Sequence, residues 1–292
     1  MLRNKKNIRK VFLGILYLFA IIGLFFSFVF VAMQFGWLNV KGSISQRNSY
    51  FNVKSSSDSI GPVDNYYSNT SNITYDWNKS DQWILMKEVF TRDQEIINKA
   101  ASDAGVSPRL ILSGVIGEQF RFFNSRREAF KSYFEPLKIL ASLSKISYGI
   151  AGLKPKTVTQ IEDHLKDPNS PYYLGPDMEH IADYDSSITD IDGERMNRIT
   201  DTKNPYYSYF YVGLYMRQIE AQWEKGGYNI DNRPEILATL YNLGFFYSTP
   251  KDNPQAGGAD IVINGTDYTY GDIANLFYYS DELSDIFPRD VQ

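Results

Sequence analysis

The sequence predicts a mainly α-helical body with a small β-hairpin, preceded by one transmembrane helix. Three observations carry this: apolar residues recur at three- and four-residue spacing over several segments, an uncharged apolar run lies near the N-terminus, and a Ser- and Asn-rich stretch divides the two. Residues 1–10, MLRNKKNIRK, are basic and polar, and no charge interrupts Val11 to Met33. That run exceeds the roughly 20 residues that span a bilayer as a helix, and it is longer than the apolar region of a cleaved signal peptide. The expected segments are a cytoplasmic 1–10, a transmembrane anchor at 11–38, a flexible linker at 39–80, and a folded domain at 81–292. The basic N-terminal flank would place the chain in the cell membrane as a single-pass protein with its body extracytoplasmic, attached to the membrane through this helix.

Within the body, Trp83 to Phe90 and Thr91 to Ala104 read as helices, the second with Thr91 and Gln94 in capping-box register and Gly105 as its stop. Ser107 followed by Pro108 reads as an N-cap and first helical residue, so a helix should run on towards Phe122. Ala129 to Leu143 reads as a helix kinked at Pro136, and Ser147 to Thr157 as a loop entering a helix at Pro155. Residues 162–205 are polar. A calcium loop in Asp183 to Glu194, with Gly193 at the sixth position, would need ligands at Ile188 and Ile199, so a solvated acidic loop is expected instead. Tyr207, Phe210, Tyr211, Leu214, Tyr215 and Ile219 mark the wide apolar face of a long helix. Pro234 opens another, with Asn232 as candidate cap and Gly244 as stop. IVINGTDYTY suggests a hairpin turning at Asn264-Gly265, and Asp272 to Phe287 a closing amphipathic helix.

Composition excludes several classes of function. There is no cysteine among 292 residues, hence no disulfide, thiolate metal site or cysteine nucleophile, and the two histidines, His164 and His180, fit no zinc-ligand spacing. No metal and no cofactor is called for. Eight of the 30 basic residues precede Asp58 while no acid does, which leaves 22 against 34 acids and a net charge of −12 on residues 58–292. A body so acidic repels a phosphate backbone, which argues against nucleic acid as a partner.

The residue that stands out is Glu118. Ile111, Val115 and Phe122 set an apolar stripe at helical spacing, and a carboxylate fills the gap in it. A glutamate in such a setting either pairs with a neighbour such as Arg121 in a structural role, or keeps a proton and acts as a general acid. Two further motifs follow it in order: Ser147-Tyr148-Gly149-Ile150-Ala151-Gly152-Leu153-Lys154-Pro155-Lys156-Thr157, and Leu240-Tyr241-Asn242-Leu243-Gly244.

With Glu118-Gln119, this order over roughly residues 91–250 resembles the lysozyme-like superfamily, and within it the soluble lytic transglycosylase type, whose motifs read approximately E-S, S-x-G-L-M-Q-I-x-P-x-T and A-Y-N-x-G. Gln119 stands where the family has serine, and Gly152 where it has glutamine. The resemblance implies a lysozyme-like helical domain acting on peptidoglycan glycan strands, with Glu118 as the single catalytic acid and base that cleaves between N-acetylmuramic acid and N-acetylglucosamine to leave 1,6-anhydro ends. It also implies that Tyr241 orients Glu118, and that Gln119, Ser147, Tyr148, Gly149 and Asn242 contact substrate. The alternatives are a hydrolytic muramidase or related glycosidase, and a glycan-binding envelope protein without catalysis.

Overall fold

The computed structural model describes residues 13–25, 27–28, 77–124, 149–231 and 233–289. The chain divides into two units, 1–40 with 129–143, and 41–128 with 144–292. In the first unit residues 13–25 are helical, and apolar side chains from Leu13 to Phe25 are exposed on every side. Among the described residues no helix is long and apolar enough to cross a membrane. This finding corrects both the transmembrane helix in the expected fold and the expected localisation as a single-pass protein of the cell membrane. An uninterrupted apolar run counts side chains, whereas a span requires one continuous helix of sufficient length. The helix expected at Ala129–Leu143 lies outside the described residues.

Among its described residues the second unit is mainly helical with one two-stranded sheet. Its first described element is a single turn, Trp77–Lys79, whose buried Trp77 ring meets Trp83 edge-on at 4.9 Å. Helix α1 (Asp81–Arg92) starts at Ser80, whose hydroxyl accepts from the Trp83 amide, and α2 (Gln94–Ala104) follows after Asp93. The expected capping box at Thr91 does not form. Thr91 lies inside α1, its hydroxyl donating to the Lys87 carbonyl at 2.8 Å, because burial of Val89 and Phe90 carries α1 two residues further than the cap signal suggested. Gly105 ends α2 with a left-handed φ of 72°.

Helix α3 (Pro108–Asn124) is the centre of the unit, packed by α1, α2, three later helices and a strand. Ser107 accepts from the Leu110 amide at 3.2 Å. Ile111, Leu112, Val115, Ile116 and Phe120 are all fully buried, so the helix is enclosed on more faces than its sequence stripe indicated. Gly114 and Gly117 let neighbours approach: a Cβ at Gly117 would stand 2.8 Å from the Tyr270 ring.

Helix α4 (Pro155–Lys166) begins at Pro155. Of the acidic stretch expected as a solvated loop, residues 183–190 are loop and mostly exposed, while its last four residues open α5 (Ile191–Thr200), where Asp190 accepts from the Gly193 amide at 2.9 Å and Asp192 and Glu194 occupy the first turn. Acids there face the positive end of the helix dipole, which turns a charge run into a helix start. Helix α6 (Tyr206–Lys225) packs on α2, α4 and α5. Helix α7 (Pro234–Leu243) ends at Gly244, with φ 105°. Strands β1 (Asp260–Ile263) and β2 (Thr266–Thr269) pair antiparallel, with Ile263 opposite Thr266 and the turn at Asn264-Gly265, both left-handed. Helix α8 (Tyr270–Tyr279), capped by Thr269 and Asp272 in a capping box, packs on α3 and α7.

Candidate functional site

Glu118 lies near the C-terminal end of α3 with its side chain 12% exposed, and its Oε2 accepts from Arg121 Nη1 at 3.2 Å. The other wall of its setting is backbone. Gly152 has φ +62°, which disfavours side chains, and a Cβ placed there would overlap Cγ, Cδ and Oε1 of Glu118. The glutamate carboxyl therefore occupies the volume that a side chain at residue 152 would take.

The loop that brings Gly152 there is held at consecutive carbonyls. Gln119, fully buried, donates from Nε2 to the Ile150 carbonyl, and the Tyr241 hydroxyl donates to the Ala151 carbonyl at 2.6 Å. Gly149, also left-handed with φ +67°, lies so close to the Ile199 carbonyl that any Cβ would strike it, and Ser208 Oγ donates to that same carbonyl at 3.1 Å. Beneath the loop, Tyr241 and Tyr270 stand with ring centroids 6.4 Å apart, and Tyr270 donates its hydroxyl proton to the Gly114 carbonyl. Burial pushes the Tyr241 phenol well above its ordinary value, and the charges of Glu118 and Tyr215 add to this. Burial does the same to Tyr270, reinforced by Tyr241 and Glu118. Both hydroxyls stay neutral donors at ordinary pH.

Three stretches far apart in sequence thus converge: the end of α3, the 149–152 loop and the end of α7. Within the chain itself the described residues of these motifs make the following contacts. Gln119 and Tyr241 grip the loop backbone. Gly149 sits against α5. Asn242 turns the other way, its Oδ1 accepting from the Ala259 amide at 2.9 Å and so fixing the approach to β1. Ser147 and Tyr148 lie outside the described residues. Sequence reasoning missed the part played by Tyr270. The glycine pair at 114 and 117 was its signal, since glycines three apart inside a helix mark close approach of another element. Among the described residues there is no group of three or more His, Asp or Glu side chains placed to hold a metal ion.

Compared with known proteins, the chain matches no family model, no curated protein and no solved structure. A carboxyl resting on bare backbone, largely enclosed and paired with Arg121, can bind a donor group or exchange a proton with one, and the guanidinium stabilises it once ionised.

Proposed function

We propose that the chain cleaves peptidoglycan glycan as a lytic transglycosylase, with Glu118 as general acid and then general base. The observation that carries this reading is the meeting of the three motif segments at the Glu118 carboxyl. In the first half-reaction Glu118 gives its proton to the glycosidic oxygen between N-acetylmuramic acid and N-acetylglucosamine, and the C1–O bond breaks towards an oxocarbenium-like centre. Arg121 stabilises the carboxylate left behind. In the second, Glu118 takes the proton of the sugar's own 6-hydroxyl, whose oxygen bonds to C1, giving a 1,6-anhydro end without consuming water. One carboxyl does both steps, so no second acid is required of the site.

The Arg121–Glu118 pair favours a second reading, a site that binds glycan without cutting it, since an ion pair gives the carboxylate a structural use. Incubating the purified full chain with peptidoglycan and weighing the released fragments by mass spectrometry separates the readings. Anhydro ends, lost in Glu118→Gln, support the transglycosylase. Reducing ends indicate hydrolysis, and bound but intact glycan the second reading. Cleavage retained by Glu118→Gln refutes the assignment.

A further inference from the structure

We infer that Gly152 is a positioning residue for Glu118: its side-chain-free, left-handed backbone is the shelf that fixes where the carboxyl stands, and the buried amide of Gln119 holds that shelf in register. The inference rests on the reading of Glu118 as the reacting acid, and it adds what sets that acid's position.

A glutamate has three side-chain torsions, and a carboxyl that must reach a glycosidic oxygen needs most of that freedom removed. Arg121 alone does not remove it, because the two residues sit one turn apart on the same helix at 3.2 Å and can move together. The constraint comes from across the site, where the Gly152 backbone fills one side so closely that no Cβ fits. Such a shelf works only if it is stationary. Its two preceding carbonyls, at Ile150 and Ala151, are gripped by buried donors from two different helices, Gln119 on α3 and Tyr241 on α7. Gln119 also neighbours Glu118 in the chain, so the shelf is tied to the same turn of helix whose carboxyl it locates. Among the described residues, the charged and titratable groups facing that carboxyl include Arg121 from α3, Tyr241 from α7 and Tyr270 from α8.

The test follows the carboxyl itself. The full chain is labelled with glutamate carrying ¹³C at Cδ, the Glu118 resonance is assigned by its loss in Glu118→Gln, and its shift and titration midpoint are measured alongside glycan cleavage. Gly227→Ala serves as control: Gly227 is left-handed at φ +84° with open space around it, so alanine there adds backbone strain without touching the site. In Gly152→Ala the Glu118 resonance and midpoint should move, and kcat should fall by about 100-fold with KM within about twofold. Gly227→Ala should leave all of these as in the wild type. Should Gly152→Ala not fold, Gln119→Leu takes its place and should move the same resonance in a folded chain. A folded Gly152→Ala, or failing that a folded Gln119→Leu, with an unmoved Glu118 resonance overturns the inference. A wild type that leaves glycan uncut overturns the proposed function instead, and the resonance still reports on the shelf.

Discussion

Arg109 offers the sharpest test of how this fold is held together. It is fully buried, and its guanidinium donates to five main-chain carbonyls: Phe277 and Tyr278 at 2.7 Å each, Ser280 at 2.6 Å, Glu282 at 2.9 Å and Phe287 at 3.0 Å. Phe277 and Tyr278 belong to the last turn of α8, whose carbonyls have no partner within the helix, and the others lie in the segment that follows. The nearby acids are engaged elsewhere, Glu282 with Lys87 at 2.9 Å and Asp281 with Arg289 at 3.6 Å. Arg109 therefore works as a five-pronged cap on a helix end and its tail rather than as one half of an ion pair. Burial pushes its pKa below the ordinary arginine value, with Arg289 adding to the effect, and the group remains charged.

Replacing Arg109 with Met takes a donor from five carbonyls, at about 1 kcal/mol each and less at Phe277, whose carbonyl keeps the Ser280 amide and hydroxyl, while relieving part of the several kcal/mol spent on burying the charge. The expected net loss is about 3–5 kcal/mol, a large share of a typical stability of 5–15 kcal/mol. Arg109→Lys keeps the charge but has three donors leaving one point instead of five in a fork, so it should still lose about 2–3 kcal/mol. Urea unfolding midpoints at constant slope measure both, and amide exchange should accelerate first in residues 277–287. If Lys restores wild-type stability, the charge matters and the fork does not, and the reasoning fails. It fails equally if Met costs less than about 1 kcal/mol.

Glu162→Gln should destabilise by about 3–5 kcal/mol in the same assay, because the buried carboxylate accepts from Arg195 at 2.8 and 2.9 Å, from Tyr211 at 2.6 Å and from Tyr184. The Tyr184 phenol, now pushed up to about 12 by burial and then by Glu162, should titrate closer to its ordinary value, read by ultraviolet absorbance. His164 is held below its ordinary value of 6.5 by burial, against the opposing charges of Asp163 and Asp167, with Nδ1 2.9 Å from Ser170 Oγ and its ring between Tyr172 and Phe245. The unfolded chain therefore takes up this proton first, so the contribution is whole above about pH 6.5 and is lost as pH falls through the lower folded value; His164→Gln should lose less stability than wild type between about pH 7.5 and about pH 5.5. Gln119→Ser and Gly152→Gln should each impair folding or cleavage, and their double mutant should depart from additivity by about 0.5–3 kcal/mol, since both residues act on one loop.

What the sequence made legible is what depends on neighbours along the chain. The Ser107-Pro108 helix start, the Gly105 and Gly244 stops and the Asn264-Gly265 hairpin each follow from a residue's own torsional limits or from a hydroxyl within three residues of its partner. Helix α5 was hidden because its first turn is acidic. The same charges that keep a loop in solvent also favour the positive end of a helix, and only packing against α6 decides between them. Arg109 was illegible for a different reason: its partners lie between 168 and 178 residues further along, so nothing local distinguishes it from a surface arginine. The apolar run at 11–33 raised the expectation of a membrane span that no described helix provides, since hydropathy reports the character of side chains and not the extent of a helix.

At the site, the two departures from the lytic transglycosylase pattern take on a meaning together that neither has alone. Read singly, Gln119 for serine and Gly152 for glutamine look like lost contacts to a sugar. In space they meet on one loop. A serine at 119 is too short to reach the Ile150 carbonyl that Gln119 holds, and any side chain at 152 would collide with the Glu118 carboxyl. A chain that took glycine at 152 alone would leave a flexible backbone beside the acid, and one that took glutamine at 119 alone would clamp a loop whose side chain blocks it. Each substitution supplies what the other removes. Under the proposed function, the two departures therefore amount to a single rearrangement around Glu118 rather than two separate lost contacts.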